Sequence, residues 1–513
     1  MATLVREAGA TSIAQFTVPF KGTWNSMAAN MISHDSIYNS LNVFIRGGRL
    51  RERPGLTLFA NAVFGQPIIG GRMAVTLSGK TLLAISKDAS FVFNEGDSNW
   101  VVENQIPFAT DNNKQISTTF LETANEYVAI IASPDFVLKR WIRGIGSAVI
   151  VQNDSLVSGD VPIAKSVCTA ASRIVALVDP HTLRWTKVKR YDSWPALAVA
   201  KVSQTADAGI CVKSLSTLDF VIYKERSIYV AKSQSGTDAQ AFNIQFSQTV
   251  EGPASVHAVV EAEAVHIYMT KNGRVGLFDG SNKVQWIADG IWLYLQDQID
   301  PTFANKIFGF YDYRLHIVMF YWPPKDQHGL LKGITIINLP LQGSGVEPTP
   351  YLTRYVSTAF LGSTEIPCSF GFEQRFNSTI DRALLFTTET PRSCYLDETN
   401  RTDVNLGYLC SFQTGLAPLP DMKHYQISVE NLFERADKNG QITIRAVTSD
   451  MLENPGGLIQ LASEQIIDLN NNPVQEYIGF NISTRFFGLQ YSWVSSNSKV
   501  RWGGTAVYGR TLT

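Results

Sequence analysis

The sequence predicts an all-β protein: a β-propeller of six or seven blades, each of about 46 residues, joined to a β-sandwich platform. Three observations carry this. Strand–turn–strand units recur at a nearly constant step through the middle of the chain. Beyond about residue 404 the step is lost while strand-like runs continue. Aromatics at 11%, with 37 Gly and 21 Pro in 513 residues, favour short strands and turns over long helices. A chain of this length also exceeds one ordinary core, so separate domains or a large repeat array are expected.

The best-preserved unit is LSTLDFVIYKERSIYVA at 215–231. Two runs rich in branched and aromatic residues, 220–223 and 227–230, flank the charged corner Lys224-Glu225-Arg226 and read as a hairpin. Equivalent first strands begin at Leu82, Tyr127, Ile174, Phe220, His266 and Leu315, giving steps of 45, 47, 46, 46 and 49 residues. Partner strands follow at 90–93, 137–141, 182–188, 227–230 and 274–278, and further runs precede several hairpins, as at 116–120, 209–212 and 307–311. Helical repeats would need apolar spacings of three and four, which these runs lack. The sixth copy is stretched by Trp322-Pro323-Pro324 and KDQHG, expected to protrude as a loop before a partner strand from Thr335. CSFGF at 368–372 with ALLFTT at 383–388 offers a seventh.

The ends do not repeat. Runs at 424–430, 440–447, 459–467, 485–495 and 501–509, parted by turn clusters at 437–440 and 470–473, predict an antiparallel sandwich. The expected organisation is an N-terminal segment at 1–60 packing with the platform, a propeller at 61–403, and the platform at 404–513.

Composition narrows the function classes. A formal net charge of −1 argues against a strongly basic nucleic-acid binder. No run is apolar and long enough for a membrane helix, and the start lacks a signal-peptide core. The five cysteines, odd in number and never CxxC, are expected as buried free thiols. No zinc, nucleotide or nucleophile-elbow motif occurs, so neither enzyme activity nor a cofactor or metal is expected. His266 and His316 fall in apolar strands and read as hydrogen-bonded core residues. The stripe RWTKVKR at 184–190, read as a strand, would place Trp185, Lys187, Lys189 and Tyr191 on one face; a lysine-protected blade edge is favoured over a base-stacking surface.

One local charge cluster stands out. In LNVFIRGGRLRERPGL, a short strand, a Gly47-Gly48 turn and a Pro54-Gly55 turn frame Arg46, Arg49, Arg51 and Arg53 against Glu52. The alternatives are a solvated edge strand guarded by charge, or an electrostatic contact with an acidic partner or DNA phosphate.

The segment 42–56, with GGRL followed by RxRPGL, resembles the N-terminal motif of tail nozzle (tail tubular, packaged-DNA stabilisation) proteins of short-tailed bacteriophages. The hairpin FVIYKERSIYV, the later IYMTKNGRVGLFDG and the closing GTAVYG also resemble that family. The resemblance implies a propeller, often six-bladed, with a sandwich platform. It also implies a homo-oligomeric, hexameric ring in the virion tail, assembled in the host cytoplasm. Such a ring would dock a head-to-tail adaptor and tail fibre or tailspike proteins, retain packaged double-stranded DNA and pass it without sequence specificity. On that reading Arg46, Arg49, Arg51 and Arg53 are assembly contacts and the lumen is neutral or acidic. The competing expectation is a carbohydrate-binding or carbohydrate-cleaving propeller, whose binding aromatics should recur blade by blade. Trp141, Trp185 and Trp286 are read as out of register.

Overall fold

The computed structural model describes all residues except 1–10, 20, 26–27, 30, 34, 47, 77–78, 95–97, 124–125, 143–147, 263–264, 282, 340–357, 376–380, 420–423, 434–438, 450–459, 471–476 and 512–513. Parts of the expected turns at 47–48, 437–440 and 470–473 therefore lie outside the described residues, as does the start of the chain.

Seven antiparallel sheets follow one another along the chain. The first three are Ile68–Thr76 to Asn99–Asn104, Ser117–Glu122 to Val149–Ile150, and Ser166–Ala170 to Val199–Lys201. The next three are Gly209–Ser214 to Phe242–Thr249, Val259–Ala262 to Gln285–Ile287, and Phe308–Asp312 to Thr358–Ser363. Each has four strands in chain order. The leading strand of each sheet packs on that of the next, and the seventh on the first, so the sheets close into a ring. The fold is a seven-bladed β-propeller.

The 46-residue signal marks the second strand of each blade, because that strand is apolar on both faces. Blades stack face to face, so alternate residues enter two different cores. In Tyr127–Ala132, Val128, Ile130 and Ala132 join the core shared with the third blade, while Ala129 and Ile131 join the one shared with the first. Phe220 and Ile222 likewise face one neighbour, and Val221 and Tyr223 the other. Such strands read as unbroken apolar runs rather than alternating ones.

The seventh sheet takes Cys368–Arg375, Asp381–Thr387 and Arg392–Asp397 from its own stretch of chain, with the short Thr402–Asp403 and Leu406–Gly407 at its far edge. Its fourth strand is Gly55–Val63, which pairs antiparallel with the third through Leu56 opposite Leu396 and Leu58 opposite Cys394. A strand thus runs across the boundary expected at residue 60, and the first and last parts of the propeller are stitched into one sheet.

Both chain ends build the sandwich. One sheet runs Val43–Arg46, Arg49–Glu52, Arg501–Thr511, His424–Phe433 and Tyr477–Ser483, with Thr11–Thr17 also pairing along Arg501–Thr511. The other runs Ile37–Leu41, Leu409–Thr414, Phe486–Val494, Gln441–Ser449 and Gln460–Asp468. Between them Phe412, Tyr491 and Trp502 pack ring on ring, with Phe412 stacked on Tyr491 at 4.5 Å. This core is continuous with that of the sixth and seventh blades, so propeller and platform share one hydrophobic interior.

Several local expectations change. The helix Asp289–Gln298, between the fifth and sixth blades, has no counterpart in the sequence reading; it buries Gly290, Ile291 and Leu295. The Trp322-Pro323-Pro324 insertion does not simply protrude, since Trp322 is buried and its indole donates to Thr335 Oγ1 at 3.1 Å. All five cysteines are buried free thiols, and burial pushes Cys211 and Cys394 up to about 12.

Candidate functional site: the basic cleft between propeller and platform

The arginine cluster lies where the platform meets the sixth and seventh blades, and its four members do different things. Arg53 is fully buried. Its guanidinium donates to Asp403 Oδ1 and Oδ2 at 3.0 and 2.5 Å, to Asn42 Oδ1 at 2.9 Å, to the Pro54 carbonyl at 2.9 Å and to the Ser363 carbonyl at 3.1 Å. It also sits 3.9 Å from the centre of the Tyr408 ring, whose hydroxyl donates to the Arg53 carbonyl. Burial opposes the charge, but the carboxylate of Asp403 outweighs that cost and holds the guanidinium protonated. Arg53 is therefore a structural clamp, and its expected role as an assembly contact is corrected: no partner can reach it.

Asn42 is the residue that sequence reasoning missed. At φ 56° it occupies the left-handed region, which asparagine tolerates better than most residues. From there its side chain accepts from Arg53 Nε and Ser363 N and donates to the Leu409 carbonyl at 2.8 Å, tying the platform to the sixth blade. An asparagine beside a strand carries no signal that could have marked it.

Arg46 and Arg51 both reach Glu398, at 2.7 and 3.2 Å, and Arg314 approaches the same carboxylate at 3.8 Å. The strand Arg49–Glu52 is no edge strand; it lies between Val43–Arg46, the end strand of the sheet, and Arg501–Thr511, so Arg49 and Arg51 do not guard an open ladder. Arg49, half-buried like Arg46 and Arg51, donates its guanidinium to the Gly48 carbonyl at 3.2 Å and rests against Gly503.

Beside these groups opens a cleft of about 270 Å³. Arg51, Glu52, Lys499 and Arg501 line it from the platform, and Arg314, Glu398 and Arg401 from the propeller. Among the described residues that line it are five cations and two carboxylates. Burial pushes the Glu52 carboxyl above its ordinary range, despite nearby Arg401 and Arg51.

The propeller axis is a second place where a ligand could sit, but the protein's own side chains bridge it. Blades that are not neighbours can touch only across the axis. Arg72 of the first blade meets Glu261 of the fifth at 3.5 Å. Gln115, ahead of the second blade, donates to the Lys306 and Ile307 carbonyls at 3.3 and 3.4 Å and accepts from His257 N at 3.1 Å. Burial and nearby Lys213 depress the His257 imidazole to about 3, against the raising effect of Ile116 and Ile69. A depressed folded-state pKa gives stability that is present above the ordinary 6.5 and lost as pH falls toward 3. Acid titration of thermal stability is expected to show this loss, and His257→Gln to remove that component; an unchanged acid limb in the variant would refute the assignment.

Other sequence features resolve into structure. Lys224 is fully buried and donates to the Val202 and Thr205 carbonyls at 3.0 and 2.7 Å, with Asp207 at 3.5 Å, so it is no solvent-facing corner. His266 bridges Tyr223 Oη and the Ser214 carbonyl, a satisfied core histidine, whereas His316 sits at φ 51° in a turn ahead of its strand. The stripe at 184–190 is not one strand: regular pairing ends at Trp185, Lys189 takes φ 55°, and Arg190 pairs with Asp154 and Asp192. Trp141 and Trp185 do not match: Trp141, opposite Ala129, faces the core shared by the first and second blades, and Trp185, opposite Val175, the one shared by the third and fourth. Both are 2% exposed, so neither offers a sugar a stacking face.

Fold and site together define a class: a seven-bladed β-propeller sealed by an N-terminal strand and locked to a two-sheet platform made from both chain ends. No family model and no curated protein matches the chain. Among solved structures, U3-55K is similar at 11% identity over 67% of this chain and 99% of that chain, with a TM-score of 0.41. BamB from Moraxella catarrhalis is similar at 10% identity over 66% of this chain and 99% of that chain, with a TM-score of 0.37.

Proposed function

We propose that the chain is a structural subunit of a short bacteriophage tail, forming a nozzle ring that continues the DNA channel below the portal and adaptor. The observation that carries this reading is the role of the segment 42–56, on which the family resemblance rests. Asn42, Arg53 and the strand from Gly55 weld propeller to platform, as a part that bears load without turnover would require. The bridged axis supports a lumen formed between subunits rather than through a propeller, since a duplex could not thread the Arg72–Glu261 and Gln115 contacts. In this reading the ring sits in the virion tail, meets an adaptor and fibre or tailspike proteins, and passes DNA without reading sequence.

Subunit contacts have a natural seat on the outer strands of the first three blades. Val101, Val102, Val149, Ile150 and Val199 are each 41–57% exposed there, on strands with one unpaired edge. A neighbouring copy would cover them. Electron microscopy of purified protein, alone and with adaptor, is expected to show six-fold rings with a hole wide enough for duplex DNA. Val102→Asp with Ile150→Asp should leave the fold intact, because exposed substitutions typically cost within about 0.5 kcal/mol, yet abolish the rings. A chain that stays monomeric in every mixture would sink the proposal.

A further inference from the structure

We infer that the surface around the helix Asp289–Gln298 is a docking site for a segment of a different protein that presents a carboxylate side chain beside apolar ones. Three observations lead there. The first is where the tryptophans stand. Of the ten in the chain, seven are buried, and the other three, Trp24, Trp286 and Trp292, all belong to this surface. Trp292 lies on the helix itself. Trp286 comes from the outermost strand of the fifth blade, and the Trp24 ring packs over Gly290, 2.9 Å from where a Cβ would stand.

The second is what the helix exposes. It turns Ile291 and Leu295 inward, so at about 100° per residue Trp292 and Tyr294 leave opposite flanks with Leu293 between them. Leu293 is 49% and Tyr294 39% exposed. Tryptophan, tyrosine and arginine dominate the binding energy of protein interfaces, from positions ringed by side chains that exclude water.

The third fixes the chemistry of the partner. The Arg274 guanidinium is held between the Trp286 and Trp292 rings, 4.3 and 4.7 Å from their centres, and makes no hydrogen bond among the described residues. The carboxylate beside it, Asp289 Oδ1, stays 3.8 Å from Nε, outside hydrogen-bond reach. The other arginines stacked on rings, Arg51, Arg53 and Arg140, each donate a guanidinium hydrogen bond. The Arg274 side chain is 30% exposed, so a partner can reach it. With an indole excluding water from each face, a carboxylate arriving at the guanidinium edge makes paired, charge-assisted hydrogen bonds.

Other occupants fit less well. Arg274 already covers a face of both indoles, which leaves a sugar ring little to stack on. Asp289 and Asp297 on the same helix oppose an anionic bilayer. The surface lies on the fifth blade, away from the outer strands of the first three, and serves whether or not the chain forms a ring.

The test pans a random peptide library on the immobilised full chain, with counter-selection on Leu293→Asp with Tyr294→Asp, and then titrates the enriched peptides by calorimetry. Both substituted side chains are exposed, so the double variant should keep the unfolding midpoint of the parent. Enriched peptides should carry Asp or Glu close to an aromatic residue or leucine. Their Kd should rise roughly tenfold or more on Arg274→Gln, the loss of a charge-assisted pair. Arg274→Lys, which keeps the charge but not the planar fork, should recover only part of that loss. Lys187→Gln with Lys189→Gln, on an exposed loop of the third blade, should leave binding unchanged. No peptide surviving counter-selection, peptides without a carboxylate, or equal binding by Arg274→Gln would each overturn the inference. Sedimentation showing self-association that the Leu293/Tyr294 variant loses would also overturn it, by assigning the face to a second copy.

Discussion

Arg53→Ala is expected to destabilise the protein by about 3–5 kcal/mol, the typical cost of removing one partner from a buried ion pair. Asp403 is 1% exposed and would be left as an unpaired carboxylate beside Thr364, its remaining side-chain donor at 2.8 Å. Asn42 Oδ1 and the Ser363 carbonyl would each lose a donor as well. Arg53→Lys should recover little, because one ammonium cannot serve both Asp403 oxygens, Asn42 and two carbonyls from a single position. The measurement is the shift in the urea unfolding midpoint, with a double-mutant cycle against Asp403→Ala. Additive losses in that cycle would show that the pair does not act as a unit. The clamp joins residues 350 positions apart, so its loss should expose the seam between platform and propeller to protease before either body melts.

Leu56→Asp should cost at least 4–5 kcal/mol and reopen the ring. Leu56 is fully buried in the strand that completes the seventh blade, paired with Leu396 on one side and beside Asp403 on the other. A carboxylate there has no cationic partner of its own, and burying an unpaired charge is among the few ways a single substitution reaches such a magnitude. Leu56→Met, which conserves volume, should cost less than about 1.5 kcal/mol and serves as the control. Hydrogen exchange in Arg392–Asp397 is the direct readout, since those amides pair with Gly55–Val63. Protection there that survives Leu56→Asp would mean the blade closes without this strand.

The second strands of the blades were legible because the stacking of sheets leaves an apolar trace at fixed intervals. Tyr127–Ala132, Arg173–Leu177 and Phe220–Lys224 are each sandwiched between two cores, and no loop composition imitates that. Three of the outer strands escaped notice because they are short: Val149–Ile150 has two residues, and Val199–Lys201 and Gln285–Ile287 have three. No periodicity can be read from so few. The blade count depended on a longer reach, as the seventh sheet borrows its fourth strand from residues 55–63, more than 300 positions from its partner.

The arginine cluster shows the division most clearly. Its existence, its turn residues and its excess charge are properties of the local sequence, and they marked the segment as important. Which arginine is buried, which shares a carboxylate and which borders a cleft depended on Asp403, Glu398 and Arg501, all supplied by distant parts of the chain. Sequence by itself determined the strand content, the repeat and the approximate start of the platform, because those follow from side-chain patterning along a short stretch. Only the tertiary structure decided that the ring closes at seven blades and that RERPG is a weld rather than an exposed edge. Ring closure and ion pairing join residues that patterning along the chain cannot bring together.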